Sequence, residues 1–508
     1  MSVRRALTAA VLVASVGGLG ALAAPGCGSD DATKTGGRAV FTPCEGDYEC
    51  ATVEVPLDYT NPSGAKIPIA VLRAPAKDPA ARLGAVVVNP GGPGLAFVER
   101  LATTYPVLSA GFAEATTRFD VVTFDWRGVG RSKPITCNDD ALFDRIRSVD
   151  LTLQTPSAVA DVKALRDALL AGCVNRPDRA DPALLAAMNT ENAARDLDHI
   201  REALGEEKLD YLGFSYGTWL GATYATLFPE RVRALALDSA TVLAKDLEAD
   251  IAEQAASYEL VFQRLFDACA RDAACKLRGT GAGASDPGAV AARFDALVAR
   301  QRQSGGLPAG TRTLSVVDMQ FAIADGLRDG DFASLATDLA AAEAGDASKL
   351  LTRADTVTGR GADGHYDTSI IGLLAIACLD QPLGTSKTIE DVMTFANAAR
   401  ASSPRGTSPA MLPWALCVEW PHRRAAPRLA IDGARSPKAL VVAGKHDPIT
   451  GYAQGPELVR LLGNGSTLLT YEGEGHSAGI HSQCVRDQIT KFLVDPTAPL
   501  SKTTCPPE

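Results

Sequence analysis

Basic charge is in short supply in this 508-residue chain: 50 Lys and Arg stand against 60 Asp and Glu, a formal net charge of −10. No Lys/Arg-rich stretch is long enough to track a phosphate backbone, which argues against nucleic acid as a partner. Long apolar runs are equally scarce. Beyond the first 27 residues no segment reaches ~18 apolar positions without a charge, the length a membrane-spanning helix needs, so the body of the chain is expected to be soluble. No two cysteines have the C-x-x-C spacing of a redox or zinc site, and neither a metal nor an organic cofactor is expected. No internal repeat marks a solenoid. With 46% hydrophobic and 22% charged residues, the composition is that of a globular protein and not of a disordered or fibrous one. At ~150 residues per domain the length allows about three domains, or one core with large insertions.

The N-terminus stands apart. Arg4 and Arg5 precede an apolar Ala/Val/Leu run from Ala6 to Ala24 that is broken by Gly17, Gly18 and Gly20. Residues 1–27 therefore read as a secretory signal. Ala21-Leu22-Ala23 suits an ordinary cleavage site, whereas Ala24-Pro25-Gly26-Cys27 resembles a lipobox, with Cys27 as the acylated first residue of a lipoprotein. Eleven cysteines is an odd number. Setting Cys27 aside leaves an even set for an oxidising compartment, periplasmic, envelope-anchored or secreted. The spacings suggest local disulfides: Cys44 with Cys50, Cys137 with Cys173, Cys269 with Cys275, Cys378 with Cys417, and Cys484 with Cys505.

After a Gly/Asp/Thr-rich tether at 28–40, short strands are predicted at Glu54–Leu57 and Ile67–Leu72. Buried apolar strands are then predicted at Ala85–Val88, Val121–Phe124, Leu209–Leu212, Ala234–Leu237, Ala439–Val442 and Thr467–Thr470, alternating with helical patterns. That rhythm predicts an α/β fold, a mostly parallel sheet flanked by helices. Between Asp238 and about Trp414 strand patterns disappear and helical ones take over. The domain reading is thus a core in two parts, 41–240 and 415–508, interrupted by a helical cap insertion at 241–414. The Gly279–Gly283 stretch is a linker and not a phosphate loop, because Asp286-Pro287 after it is a helix N-cap with a first-turn proline.

The chemistry is carried by three segments. Gly213-Phe214-Ser215-Tyr216-Gly217 lies between a strand and a helical pattern, the setting of a nucleophile elbow in which Ser215 is pushed above a sheet. A serine hydroxyl needs a base and the base needs an orienting acid. Among six histidines, His476 in Glu472-Gly473-Glu474-Gly475-His476 follows the last predicted strand, and Asp447 ends the strand before it. Asp447 comes 232 positions after Ser215, and His476 a further 29. Asp238, ending the strand after the elbow, is the rival acid; His199, His365, His422, His446 and His481 are read as packing or rim residues. The glycine turn Asn89-Pro90-Gly91-Gly92-Pro93-Gly94 after an apolar strand can bring backbone N–H groups to an oxyanion, with Gly92 and Tyr216 as the two donors.

Together with Asp125-Trp126-Arg127-Gly128-Val129-Gly130-Arg131-Ser132, Val55-Pro56-Leu57-Asp58-Tyr59, Cys417-Val418-Glu419-Trp420-Pro421 and the segment holding Cys484 and Cys505, these motifs resemble the secreted bacterial tripeptidyl aminopeptidases. That family is the prolyl-iminopeptidase-related branch of the α/β-hydrolases with a TAP-like C-terminal region. The resemblance spans nearly all of the mature chain. It implies Ser215 as nucleophile, His476 as base and Asp447 as its partner, acting on short peptides with a free N-terminus beneath a helical cap. It also implies that cap carboxylates hold the substrate's α-ammonium, for which Glu248, Glu253 and Glu259 are on hand. A carboxylesterase with the same triad is the alternative, and a binding protein on a retired hydrolase scaffold is a third reading. Arg127 and Arg131 are expected to brace the oxyanion turn.

Overall fold

The computed structural model describes residues 38–508 except 45, 138, 151–155, 244–245, 280, 382–387, 407–411, 419 and 423–426. The proposed signal, Cys27, most of the tether and Glu419 of the quoted motifs lie outside the described residues. Twelve strands occur among the described residues: β1 (Thr42–Pro43), β2 (Glu49–Pro56), β3 (Lys66–Ala74), β4 (Gly84–Asn89), β5 (Phe119–Phe124), β6 (Leu209–Phe214), β7 (Val232–Asp238), β8 (Leu307–Ala309), β9 (Arg312–Leu314), β10 (Leu440–His446), β11 (Thr467–Glu474) and β12 (Thr504–Cys505). Ten of them form one sheet in the order β1-β2-β3-β5-β4-β6-β7-β10-β11-β12. From β5 to β12 every pairing is parallel. The β1–β2–β3 edge is antiparallel and joins through β3–β5.

The continuous apolar runs are explained by burial on both faces. Val87, Tyr211, Leu235 and Val441 point into a core shared with Leu197, Ile200 and Leu220. Their neighbours Val88, Leu212, Ala236 and Val442 face Val485, Ile489 and Phe492 on the other side. Because β4, β6, β7, β10 and β11 are adjacent and parallel, their C-terminal ends, and therefore residues 89–94, 215, 238–239, 447 and 475–477, all emerge along one rim.

The long segment between β7 and β10 is mostly helical, as expected, with one correction. A two-stranded hairpin, β8–β9, interrupts it. It escaped the strand reading because each arm is three residues long and Gly310 at its turn sits at φ 64°. Helices at Ser348–Thr358 and Ile389–Ser402 also lie there. The segment divides by what it packs on. Tyr258, Phe262, Phe266, Phe294, Leu335 and Leu350 form a core of their own. By contrast Ile371, Leu374, Ile376 and Leu379, on the helix Ser369–Asp380, are continuous with the main core. Asp286 caps the helix Pro287–Ser304 by accepting from Gly288 N at 2.9 Å, so Gly279–Gly283 precedes a capped helix, as read from sequence.

All five suggested disulfides are present: Cys44–Cys50, Cys137–Cys173, Cys269–Cys275, Cys378–Cys417 and Cys484–Cys505. Among the described residues no helix is long and apolar enough to cross a membrane, and no group of three or more His, Cys, Asp or Glu is placed to hold a metal.

Candidate active site

Ser215 sits between β6 and the helix Tyr216–Leu227 with φ 54° and ψ −127°. A non-glycine residue is held in such a region only when its surroundings over-determine it. Here they do. Ser215 N donates to Asp238 O of the neighbouring strand at 2.9 Å, and Ser215 O accepts from Thr218 N and from Thr218 Oγ1 at 2.8 and 2.7 Å. The two elbow glycines are required by space: a Cβ at Gly213 would stand 2.5 Å from Gly217 O, and one at Gly217 2.5 Å from Asn89 O.

Asp447 and His476 meet at the ends of β10 and β11. His476 Nδ1 lies 2.8 Å from Asp447 Oδ2 and 3.0 Å from Oδ1. Asp447 is fully buried, which on its own would raise its pKa. The neighbouring His476, together with donors from Thr450 and Ser239, holds the carboxyl below its ordinary value instead, so it stays ionised. Those donors are Ile449 N, Thr450 N, Thr450 Oγ1 and Ser239 Oγ, all within 3.0 Å. The sequence reading missed Ser239 and Thr450. Their signal is positional only: Ser239 directly follows a strand-ending Asp, and Thr450 lies three residues after another.

Asp238, the rival acid, is turned to a different task. Its carboxylate accepts from Ala478 N at 3.1 Å and Gly479 N at 2.7 Å, at the start of the short helix after His476. Burial pushes its pKa up to about 7. It fixes the histidine loop and does not bond the imidazole. Ser239 ties the same loop to the acid, accepting from Ser477 N at 2.7 Å while it donates to Asp447. His481 lies 2.9 Å from His476 O, and His446 lies 3.2 Å from Gly473 O; both brace the loop from beneath. His199 stacks on Tyr59, and His365 pairs with Asp140 at the surface.

The glycine turn lies against the elbow. A Cβ at Gly91 would be 2.6 Å from Phe214 O and 2.8 Å from Ser215 Cβ, and Gly91, Gly92 and Gly94 all have φ near +90 to +100°, a region that only glycine occupies freely. Gly92 is exposed whereas Gly91 is buried. Asp125 ties the start of the helix after the turn to its own loop, accepting from Val98 N at 2.9 Å and Arg131 N at 2.8 Å. Arg127 is buried beside Asp196, with Nε 2.7 Å from Oδ2. It also donates to the carbonyls of Pro56 and Leu57, while Tyr59 OH donates to Asp196. The Val55–Tyr59 and Asp125–Ser132 motifs are thus two halves of one buried ionic joint. Breaking such a pair strands a charge, at a cost of about 3–5 kcal/mol; Arg127 is structural, but it joins Asp196 and the Pro56–Leu57 carbonyls and not the glycine turn it was expected to brace.

The helical segment closes over this rim. Arg328 O accepts from His476 N at 2.8 Å, and Arg264 pairs with Glu474. Of the three cap carboxylates, Glu259 is occupied by Arg405 N, Gly406 N and the Arg405 guanidinium, and Glu248 is exposed. Glu253 faces the loop after Asp447, its Oε1 buried without a hydrogen-bond partner among the described residues. Burial raises its pKa, partly offset by a side-chain hydrogen bond between the Glu253 carboxyl and Gln454.

A strained serine turn, a buried acid–imidazole pair and a glycine turn along the C-terminal rim of a parallel sheet define a serine hydrolase of the α/β class. Residues 84–289 match the family model for the alpha/beta hydrolase fold, and residues 407–505 match that for TAP-like protein. The chain is 33% identical over 93% of its length to the serine protease Hip1 of Mycobacterium tuberculosis, covering 92% of that protein. It is 33% identical to carboxylesterase B of the same organism, covering 90% of this chain and 86% of that one. To the tripeptidyl aminopeptidase of Streptomyces lividans it is 31% identical, over 90% and 84% of the two chains. The protein belongs to the α/β-hydrolases with a TAP-like C-terminal region and is a serine hydrolase.

Proposed function

We propose that this protein is an exported serine exopeptidase that releases short N-terminal peptides through an acyl-enzyme. In this reading Ser215 Oγ attacks the scissile carbonyl and His476 Nε2 takes its proton, later returning it to the leaving amine. Asp447 holds the imidazole by Nδ1 and stabilises the imidazolium. The oxyanion receives N–H bonds from Gly92 and Tyr216. Water then enters, with His476 as base, and frees the released peptide and the serine. No metal or organic cofactor takes part.

The observation that carries the exopeptidase reading is Glu253. A buried carboxylate oxygen without a partner, on a helix laid against the acid loop, has the chemistry to receive an α-ammonium group, and desolvation strengthens that attraction. A Cβ at Gly451 would stand 3.5 Å from this same oxygen, which sets Glu253 against the loop that follows Asp447. The names of the relatives favour a peptidase but include a carboxylesterase at equal identity, so the ester reading is kept as the alternative. Five disulfides support passage through an oxidising compartment. A lipid anchor on Cys27 is part of the proposal.

The test is a set of free peptides and their N-acetylated twins, incubated with the mature protein and with Ser215→Ala, with products read by mass spectrometry. Release of N-terminal fragments from free peptides only, lost by at least ~10³-fold in the variant, is expected. Equal cleavage of blocked peptides, or ester turnover with no peptide cleavage, would overturn the exopeptidase reading.

A further inference from the structure

We propose that Asp380, at the end of the helix Ser369–Asp380 in the inserted segment, is a positioning residue for the oxyanion hole, and that this one helix anchors Tyr216 and backs the glycine turn that carries Gly92. The proposal rests on the assignment of Gly92 and Tyr216 N–H as those donors.

Asp380 is 2% exposed. It is no part of the elbow sequence, yet its carboxylate accepts from Tyr216 OH at 2.7 Å. Thr190 holds the same carboxylate from the other side, through Oγ1 at 2.6 Å and N at 3.0 Å. Thr190 opens the helix Thr190–Leu204, so the carboxylate also sits at a helix N-terminus, where negative charge is favoured. Arg428 completes the clamp, donating to Asp380 O at 3.0 Å with its guanidinium 5.1 Å over the ring of Trp219, one turn after Tyr216. Tyr216 is thereby held at both ends. Its backbone opens the helix directly after the strained Ser215, and its phenol is anchored to a helix residue that sequence places 164 positions away.

Earlier in this helix, Gly372 and Leu373 meet the glycine turn at Gly94, two residues after the other donor. A Cβ at Gly94 would lie 2.2 Å from Leu373 N and 2.4 Å from Gly372 C, and one at Gly372 would lie 2.9 Å from Gly94 O. The glycine turn and the helix therefore touch backbone to backbone with no side chain between them. About two helical turns further on, Asp380 reaches Tyr216. Because a helix is stiff over that length, a single rigid element links Tyr216 to the glycine turn that carries Gly92. Geometry errors well below 1 Å at such donors are costly in the transition state and nearly silent in substrate binding.

The experiment uses Tyr216→Phe, Asp380→Asn and the double variant in the mature, disulfide-intact protein, with an activated ester as substrate and a boronic acid as transition-state mimic. Expected are a fall of about 10- to 100-fold in kcat with KM within twofold, and boronate binding weakened by the same factor as kcat/KM. The double variant should be no worse than the poorer single one, since both cut the same link. A raised KM with unchanged boronate affinity relative to substrate, or additive losses in the double variant, would overturn the proposal. So would kcat retained within twofold in Tyr216→Phe, which keeps the ring packing and serves if Asp380→Asn does not fold. Ser215→Ala separates the two levels: if it stays active, the site reading itself has failed; if it is inactive while Tyr216→Phe is unimpaired, only the positioning role falls.

Discussion

Ser239 shows how much of the site depends on a residue with no part in bond making. Its hydroxyl is shared between Asp447, to which it donates, and Ser477 N, from which it accepts, and its own backbone is left-handed at φ 59°. Ser239→Ala leaves a buried N–H unmet, a loss of about 1–3 kcal/mol, and removes one of the donors that hold Asp447 ionised. Expected are a fall of about tenfold in kcat with little change in KM, and a matching loss in urea midpoint; kinetics and denaturation on the same preparation check both, and full retention of activity would mean the loop is held without Ser239, by Asp238, Arg328 and His481. Ser215, His476, Asp447 and the glycine turn were legible in the sequence because each follows a strand end and carries a recognisable residue pattern. Ser239, Thr450 and Asp380 were not. Hydroxyls and carboxylates near strand or helix ends are common in any chain, and what distinguishes these three is a partner brought in by the fold.

Among the elements, the parallel strands declared themselves through unbroken apolar runs, since both faces are covered. The hairpin β8–β9 and the division of the helical segment between two cores did not. A three-residue strand has no period to detect, and an amphipathic helix does not say which neighbour its apolar stripe will meet. The helix Ser369–Asp380 is apolar nearly all round, the mark of an element buried on every side, but that mark does not identify its companions. Its disulfide, Cys378–Cys417, spans 39 residues, against 6 for Cys44–Cys50. Chain-entropy arguments give about 4 kcal/mol for the longer loop and about 2 for the shorter. Replacing Cys378 and Cys417 by Ser should therefore lower unfolding free energy by roughly twice as much as replacing Cys44 and Cys50, measurable by urea denaturation, and should in addition lower activity because it loosens the helix behind the oxyanion turn. Equal effects of the two pairs would count against this view.

For the molecule as a whole, Asp238 ties stability to pH. Its pKa is pushed up to about 7 from the ordinary 3.8 by burial, so between those values the folded protein keeps a proton that the unfolded chain has released. This group's contribution to stability is complete below about pH 4 and is lost as the pH climbs through about 7. Asp238→Asn removes that term. Comparing unfolding free energies at pH 4.5 and 7.5, the wild type should lose more stability on going to the higher pH than the variant does; parallel behaviour would show that Asp238 titrates normally. The close backbone contact of Gly94 with Gly372 and Leu373 also bears on how such proteins can be recombined. A protein engineer exchanging lids between relatives to change substrate range would naturally cut at the ends of the whole insertion, after β7 and before β10. Those cuts would carry off the wall of the reaction centre along with the roof. Junctions that retain the recipient's own residues 369–380, and exchange only the portion with a separate core, are the ones that should yield working chimeras.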